Sequence, residues 1–89
     1  MYIGKVIGMV VATRKDDSLV GTKLLIVQQT DMNGEPKGAA EVAVDSVGAG
    51  TGELVLVSKG SAARHIFENR SSPVDAAIVG IIDSMEVRP

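Results

Sequence analysis

Residues Ala43–Arg64 read AVDSVGAGTGELVLVSKGSAAR: two short apolar runs separated by a glycine loop, then a helix start. Val42 and Val44 alternate with Glu41, Ala43 and Asp45, the period-two pattern of a half-buried strand. The chain then enters Gly48-Ala49-Gly50-Thr51-Gly52 and resumes strand character at Leu54–Val57. The loop is therefore a connector between strands. Three glycines in five residues suit a backbone that takes positive φ or lets another backbone come close, because glycine carries no Cβ to clash.

Phosphate binding does not fit this loop. A dinucleotide fingerprint places glycines at its first, third and sixth positions and opens a helix, but counting from Gly48 the sixth position is Glu53 and a strand follows. A P-loop needs Gly-Lys-Ser/Thr after its first glycine, whereas the order here is Lys59-Gly60-Ser61.

Outward from the loop the chain reads as strands. Tyr2–Thr13 is a long strand with Ile3, Ile7, Met9 and Val11 on one parity with Lys5, and Val6 and Val10 alternating with Gly4 and Gly8 on the other. Both faces are thus apolar, and glycines at this spacing suit a sheet coiling into a barrel or meeting a neighbouring backbone. Arg14–Thr22 is polar and small, a surface loop. Lys23–Thr30 is the second strand, and Asn33-Gly34 within 31–36 closes a hairpin because it tolerates the positive φ of hairpin turns. Ala39–Asp45 is strand three and Leu54–Ser58 strand four. A short helix is expected from Gly60-Ser61 through Phe67, with Ser61 as N-cap and Ile66 and Phe67 as apolar anchors. Pro73 discourages helix at Ser72. Ala76–Asp83 is strand five, and Met85 and Val87 are expected to add a short final strand.

Composition bounds the function. At 89 residues the chain is one domain, 1–89, and buries only about 60–65% of the surface that its unfolded form exposes, so association would help it. Hydrophobic residues make up 45% and aromatics 2%, so the core is aliphatic. A net charge of −2 and a pI near 5.2 provide no basic field for nucleic acid. There is no cysteine, hence no disulfide or thiolate site, in keeping with a reducing cytosol. The longest uncharged apolar run, Val6–Ala12, falls far short of the ~20 residues that span a bilayer, and no small-residue cleavage pattern follows it, so the mature chain is read from Met1.

Five short strands and one helix make a mainly β, small five-stranded OB-like barrel, which raises an alternative: an OB-type ligand or oligonucleotide-binding module. Such modules stack bases on aromatic side chains over a basic groove, and this acidic chain offers Tyr2 and Phe67 alone. Ser61 and His65 lie four apart and would share a helix face, with Asp45 or Asp75 as conceivable third members of a triad; an N-cap serine and a surface histidine explain the pair more simply. One histidine and no cysteine make no metal centre, and Asp45, Glu53, Asp75 and Asp83 are too scattered for an acid/base pair. No catalytic residue, cofactor or metal is expected.

Taken as one string, VDSVGAGTGELVLVSKGSAAR followed by SSPVDAAIVGIID closely resembles the EutN/CcmL family, the vertex proteins of bacterial microcompartment shells. The opening MYIGKVIGMVVATRKDDSLVGTKLLIVQ is similar to that family's N-terminal hairpin. The most specific part is Asp45…Gly48-Ala49-Gly50-x-Gly52-Glu53 with Ser61-Ala62-Ala63-Arg64 and Ser72-Pro73-Val74-Asp75. The resemblance implies a β-barrel that assembles as a homopentamer, has no activity of its own, and caps the vertices of a carboxysome or metabolosome shell in the bacterial cytoplasm. Its partners would be further copies of itself and hexameric shell proteins, with Arg14, Lys15, Asn33 and Arg70 as candidate rim residues chosen for polarity. The expected protomer interface is Gly48, Ala49, Gly50, Gly52, Glu53 and Arg64, with Glu53 bonded to a neighbouring chain.

Overall fold

A computed structural model describes residues 1–13, 15–60, 63 and 74–88. Five strands, β1 (Tyr2–Val10), β2 (Lys23–Thr30), β3 (Pro36–Asp45), β4 (Leu54–Lys59) and β5 (Ala76–Ile81), close into a barrel in the order β1-β2-β3-β5-β4. All neighbours are antiparallel except β3 and β5, which run parallel.

Alternation fills the interior. Val6 on β1, Leu25 and Val27 on β2, Val55 and Val57 on β4 and Ile78 on β5 are all buried in one aliphatic core. The inward row of β1 is Tyr2, Gly4, Val6, so the parity read from the sequence holds as far as Val6; past the register shift Gly8 and Val10 lie opposite Ile26 and Leu24, outside the core row, and the single parity expected for the whole strand breaks there. Gly4 is glycine for a steric reason. A Cβ there would lie 2.4 Å from Val27 Cγ1. A second cluster, Val44, Ala63, Val74 and Ala77 with Leu19 and Leu24 against it, covers the outer face of β2, β3 and β5.

Several boundaries differ from the sequence reading. β1 ends at Val10 rather than Thr13, and β5 at Ile81 rather than Asp83. Ile82–Arg88 contains no strand, so Met85 and Val87 do not add a sixth; both lie exposed. The expected 14–22 loop contains a 3-10 turn, Asp17–Leu19, in which the Asp16 carboxylate accepts the Ser18 amide at 2.9 Å as an N-cap. β3 starts at Pro36, earlier than Ala39, because Pro36–Ala40 lie on an open edge where a missing amide breaks no ladder. The expected Gly60–Phe67 helix, Ser61, Arg64, His65 and Phe67 included, lies outside the described residues apart from Gly60 and Ala63. Arg14 and Arg70 also lie outside them.

Closure is uneven. Among the described residues β3 meets β5 at Val44 and Asp45 alone, so from Pro36 to Val42 its one strand partner there is β2. β1 meets β4 from Tyr2 to Lys5, and the loop before β4 continues the pairing through Gly52 N–H to Val6 O (2.8 Å) and Val6 N–H to Glu53 O (3.0 Å). Past Val6 the register with β2 shifts around Ile7, and Gly8, Met9 and Val10 pair with β2 alone among the described residues.

Candidate functional site

The two open edges are chemically opposite. That of β3 is guarded against chance pairing: Pro36 has no amide to offer, Lys37 carries a charge, and Gly38 takes φ +83° in a stretch where the register with β2 shifts. The Gln28 side-chain amide donates to Gly38 O at 3.0 Å and occupies part of that irregular backbone. The edge of β1 has no such guard. Ile7, Met9 and Val11 are 50%, 55% and 87% exposed, with no charge or proline between them. An apolar strand with unpaired backbone groups is a template for another chain.

Beside that edge sits the glycine loop, and its residues serve different ends. Gly48 (φ +81°) and Gly52 (φ +93°) occupy the left-handed region that disfavours any side chain. Gly50 does not, but a Cβ there would stand 3.3 Å from Glu53 Oε1. Asp45 holds the loop's entry, its carboxylate accepting from Val47 N (3.1 Å) and Ala49 N (3.0 Å). Lys23 Nζ donates to Ala49 O at 2.7 Å. Ala49 itself points into the protomer's own core, fully buried, while Gly48 and Gly52 are exposed. Glu53 Oε1 accepts the Gly50 amide at 2.7 Å and closes the turn. The loop is thus a preformed knuckle, with Ala49 as its peg and Glu53 as its internal brace.

A polar plug that sequence reading missed fills one barrel end. Tyr2 from β1, Glu41 from β3 and Lys59 from β4 meet there: the Tyr2 hydroxyl donates to Glu41 Oε2 at 2.7 Å, and Lys59 Nζ bonds Glu41 Oε1 and lies 3.2 Å from Asp75 Oδ2. Burial alone would push the Glu41 carboxyl up, but hydrogen bonds from Lys59 and Tyr2 and the Lys59 charge outweigh it and hold it below its ordinary value. Burial, and then the Glu41 bond and charge, push the Tyr2 phenol far up, so it stays a donor at neutral pH. The Glu41 bond raises Lys59. Inward parity of Tyr2 and Glu41 was the available signal, masked by the valines beside Glu41.

Nothing in this arrangement resembles a reaction centre: the carboxylates carry structural bonds, and among the described residues no three His, Cys, Asp or Glu gather as a metal site. Residues 1–83 match the family model described as ethanolamine utilisation protein EutN/carboxysome. The chain belongs to the EutN/CcmL family. It is 51% identical to the bacterial microcompartment shell vertex protein PduN of Salmonella typhimurium over 96% of this chain and 98% of the relative. It is 54% identical to the carboxysome shell vertex protein CcmL of a Nostoc species over 98% of this chain and 87% of that one. The solved GrpN pentameric microcompartment shell protein of Rhodospirillum rubrum superimposes with a TM-score of 0.89 at 53% identity, covering 100% of both chains. Family members thus serve both carboxysomes and other microcompartments.

Proposed function

We propose that this chain is a structural shell protein that forms a homopentamer and caps the vertices of a bacterial microcompartment in the cytoplasm. The observation that carries this reading is the end-to-end agreement with the pentameric GrpN chain. Physical support comes from the unguarded β1 edge and the knuckle beside it. A head-to-tail contact between unlike surfaces closes into a ring when its rotation allows. Gly48, Gly50 and Gly52 form the side at which a second backbone approaches, Ala49 anchors that side from within, and Glu53 braces it, with Arg64 as a further contact. Lys15 and Asn33 are exposed rim candidates toward hexameric shell proteins, with Arg14 and Arg70. The role is architectural rather than catalytic.

Sedimentation of the purified chain tests the ring: the expected mass is five times the 9.2 kDa protomer. A stable monomer at micromolar concentration overturns the proposal. The vertex role is tested by deletion in the parent organism, where shells are expected to form without closing. Sealed, regular polyhedra that retain their cargo would end the vertex reading.

A further inference from the structure

We propose that the Tyr2–Glu41–Lys59 plug is a catch that ties the open edge of β3 to the barrel and fixes the direction of the β2–β3 hairpin. The need follows from topology. Between Pro36 and Val42, β3 is bonded to β2 alone among the described residues, Pro36–Ala40 are all exposed, and the ladder to β5 begins at Val44. A strand pair held on one side has little packing to oppose bending, because β3's own contribution to the inner aliphatic core ends at Ala43. Glu41 is the next inward position after Ala43 and lies opposite buried Val27. Its carboxylate reaches two other strands at once: Oε2 takes the Tyr2 hydroxyl from β1 and Oε1 takes Lys59 from β4. Lys59 also reaches Asp75 at the entry to β5, so the contacts bridge the gap that the missing β3–β5 ladder leaves.

The catch is polar where an aliphatic contact would also close the gap, and this gives it direction. A carboxylate with one oxygen on a hydroxyl and the other on an ammonium accepts one geometry, whereas packed methyls tolerate several. Lys59 and Glu41 side chains are 36% and 34% exposed, so solvent screens the ion pair and the Tyr2 bond carries much of the fixing.

Amide hydrogen exchange on the full chain tests this. Tyr2→Phe removes one hydroxyl, and Lys59→Met keeps the stem without the charge. Each is expected to speed exchange of hairpin amides between Gln28 and Ala40 by about five- to tenfold, as loss of one bond to a charged group would after screening. Exchange at Val55, Val57 and Ile78 is expected to stay at parental rates. Glu41→Ala should exceed either and match their double variant, since each of those two removes both contacts to the Glu41 carboxylate. Equal acceleration in hairpin and core, or parental rates throughout in Tyr2→Phe and Lys59→Met, would overturn the proposal. This reading stands or falls independently of the ring, because the readout lies within one protomer.

Discussion

Alanine at Gly4 is expected to destabilise the barrel, and the size follows from one contact. The new Cβ would sit 2.4 Å from Val27 Cγ1, 3.0 Å from the Gln28 carbonyl oxygen and 3.2 Å from Tyr2 Cε1. Favourable carbon contacts lie at about 3.5–4.0 Å, so the first is more than an ångström too short. Neither main neighbour yields easily: Val27 is fully buried and stiff at its branched Cβ, and Gln28 O belongs to strand backbone. Forcing a methyl into such a site costs about 1–3 kcal/mol. The smaller conformational freedom of the unfolded alanine chain returns about 0.4–1 kcal/mol. With a contact as short as 2.4 Å the upper half of the first range applies, and the net of about 1–2.5 kcal/mol lowers Tm by roughly 5–20 °C in a domain of this size. Circular dichroism melts at one fixed chain concentration read it, since association makes Tm concentration-dependent. Val27→Ala removes the obstructing methyl, so the double variant should be more stable than additivity predicts by about 1 kcal/mol. Unchanged melting in Gly4→Ala, or strict additivity, would refute the steric account.

Ile7→Asp or Met9→Asp should leave a folded barrel, since both side chains are half exposed in one protomer, yet shift sedimentation from ring to monomer; an intact ring would remove β1 from the interface. Gly50→Val should displace the Glu53 carboxylate that stands 3.3 Å from the new Cβ, breaking assembly with a melting loss under about 2 kcal/mol, and a fully assembled variant would count against the knuckle. Because folding lowers the Glu41 carboxyl below 4.5, its contribution is whole above that pH and fades as pH falls through the folded value; parental Tm should therefore drop faster on acidification than that of Glu41→Gln, and parallel curves would contradict this. Lys59 and Tyr2, both raised, contribute fully below their ordinary values of 10.5 and 10.0 and lose that contribution as pH rises through the folded ones.

The sheet was legible wherever a period of two met a clear turn. Lys23–Thr30 emerged with both ends in place, and Asn33-Gly34 marked the hairpin, where Gly34 indeed takes φ +81° and Asp31 accepts the Asn33 and Glu35 amides. β3 shows why alternation alone misleads. Its valines suggested a buried face, yet Val42 is half exposed and Val44 packs outward, while small Ala43 and charged Glu41 point inward. Parity names two faces without saying which is inside when the partners differ along the strand. The parallel β3–β5 register and the Tyr2–Glu41 contact, 39 residues apart, depend on closure and leave no local trace. Of the expected interface set, the loop's glycines were legible from composition, but the inward turn of Ala49 and the local bond of Glu53 were not, since both depend on the conformation that those glycines permit.

Tyr2 is the chain's one tyrosine, and there is no tryptophan. Near-ultraviolet absorption and emission therefore report almost wholly from a ring whose oxygen is bonded to a carboxylate on another strand. A phenol so placed resists ionisation in alkali and is readily quenched by its acceptor. An ordinary spectrophotometric titration thus watches one barrel end open, without label or probe, in a protein whose remaining core is optically silent.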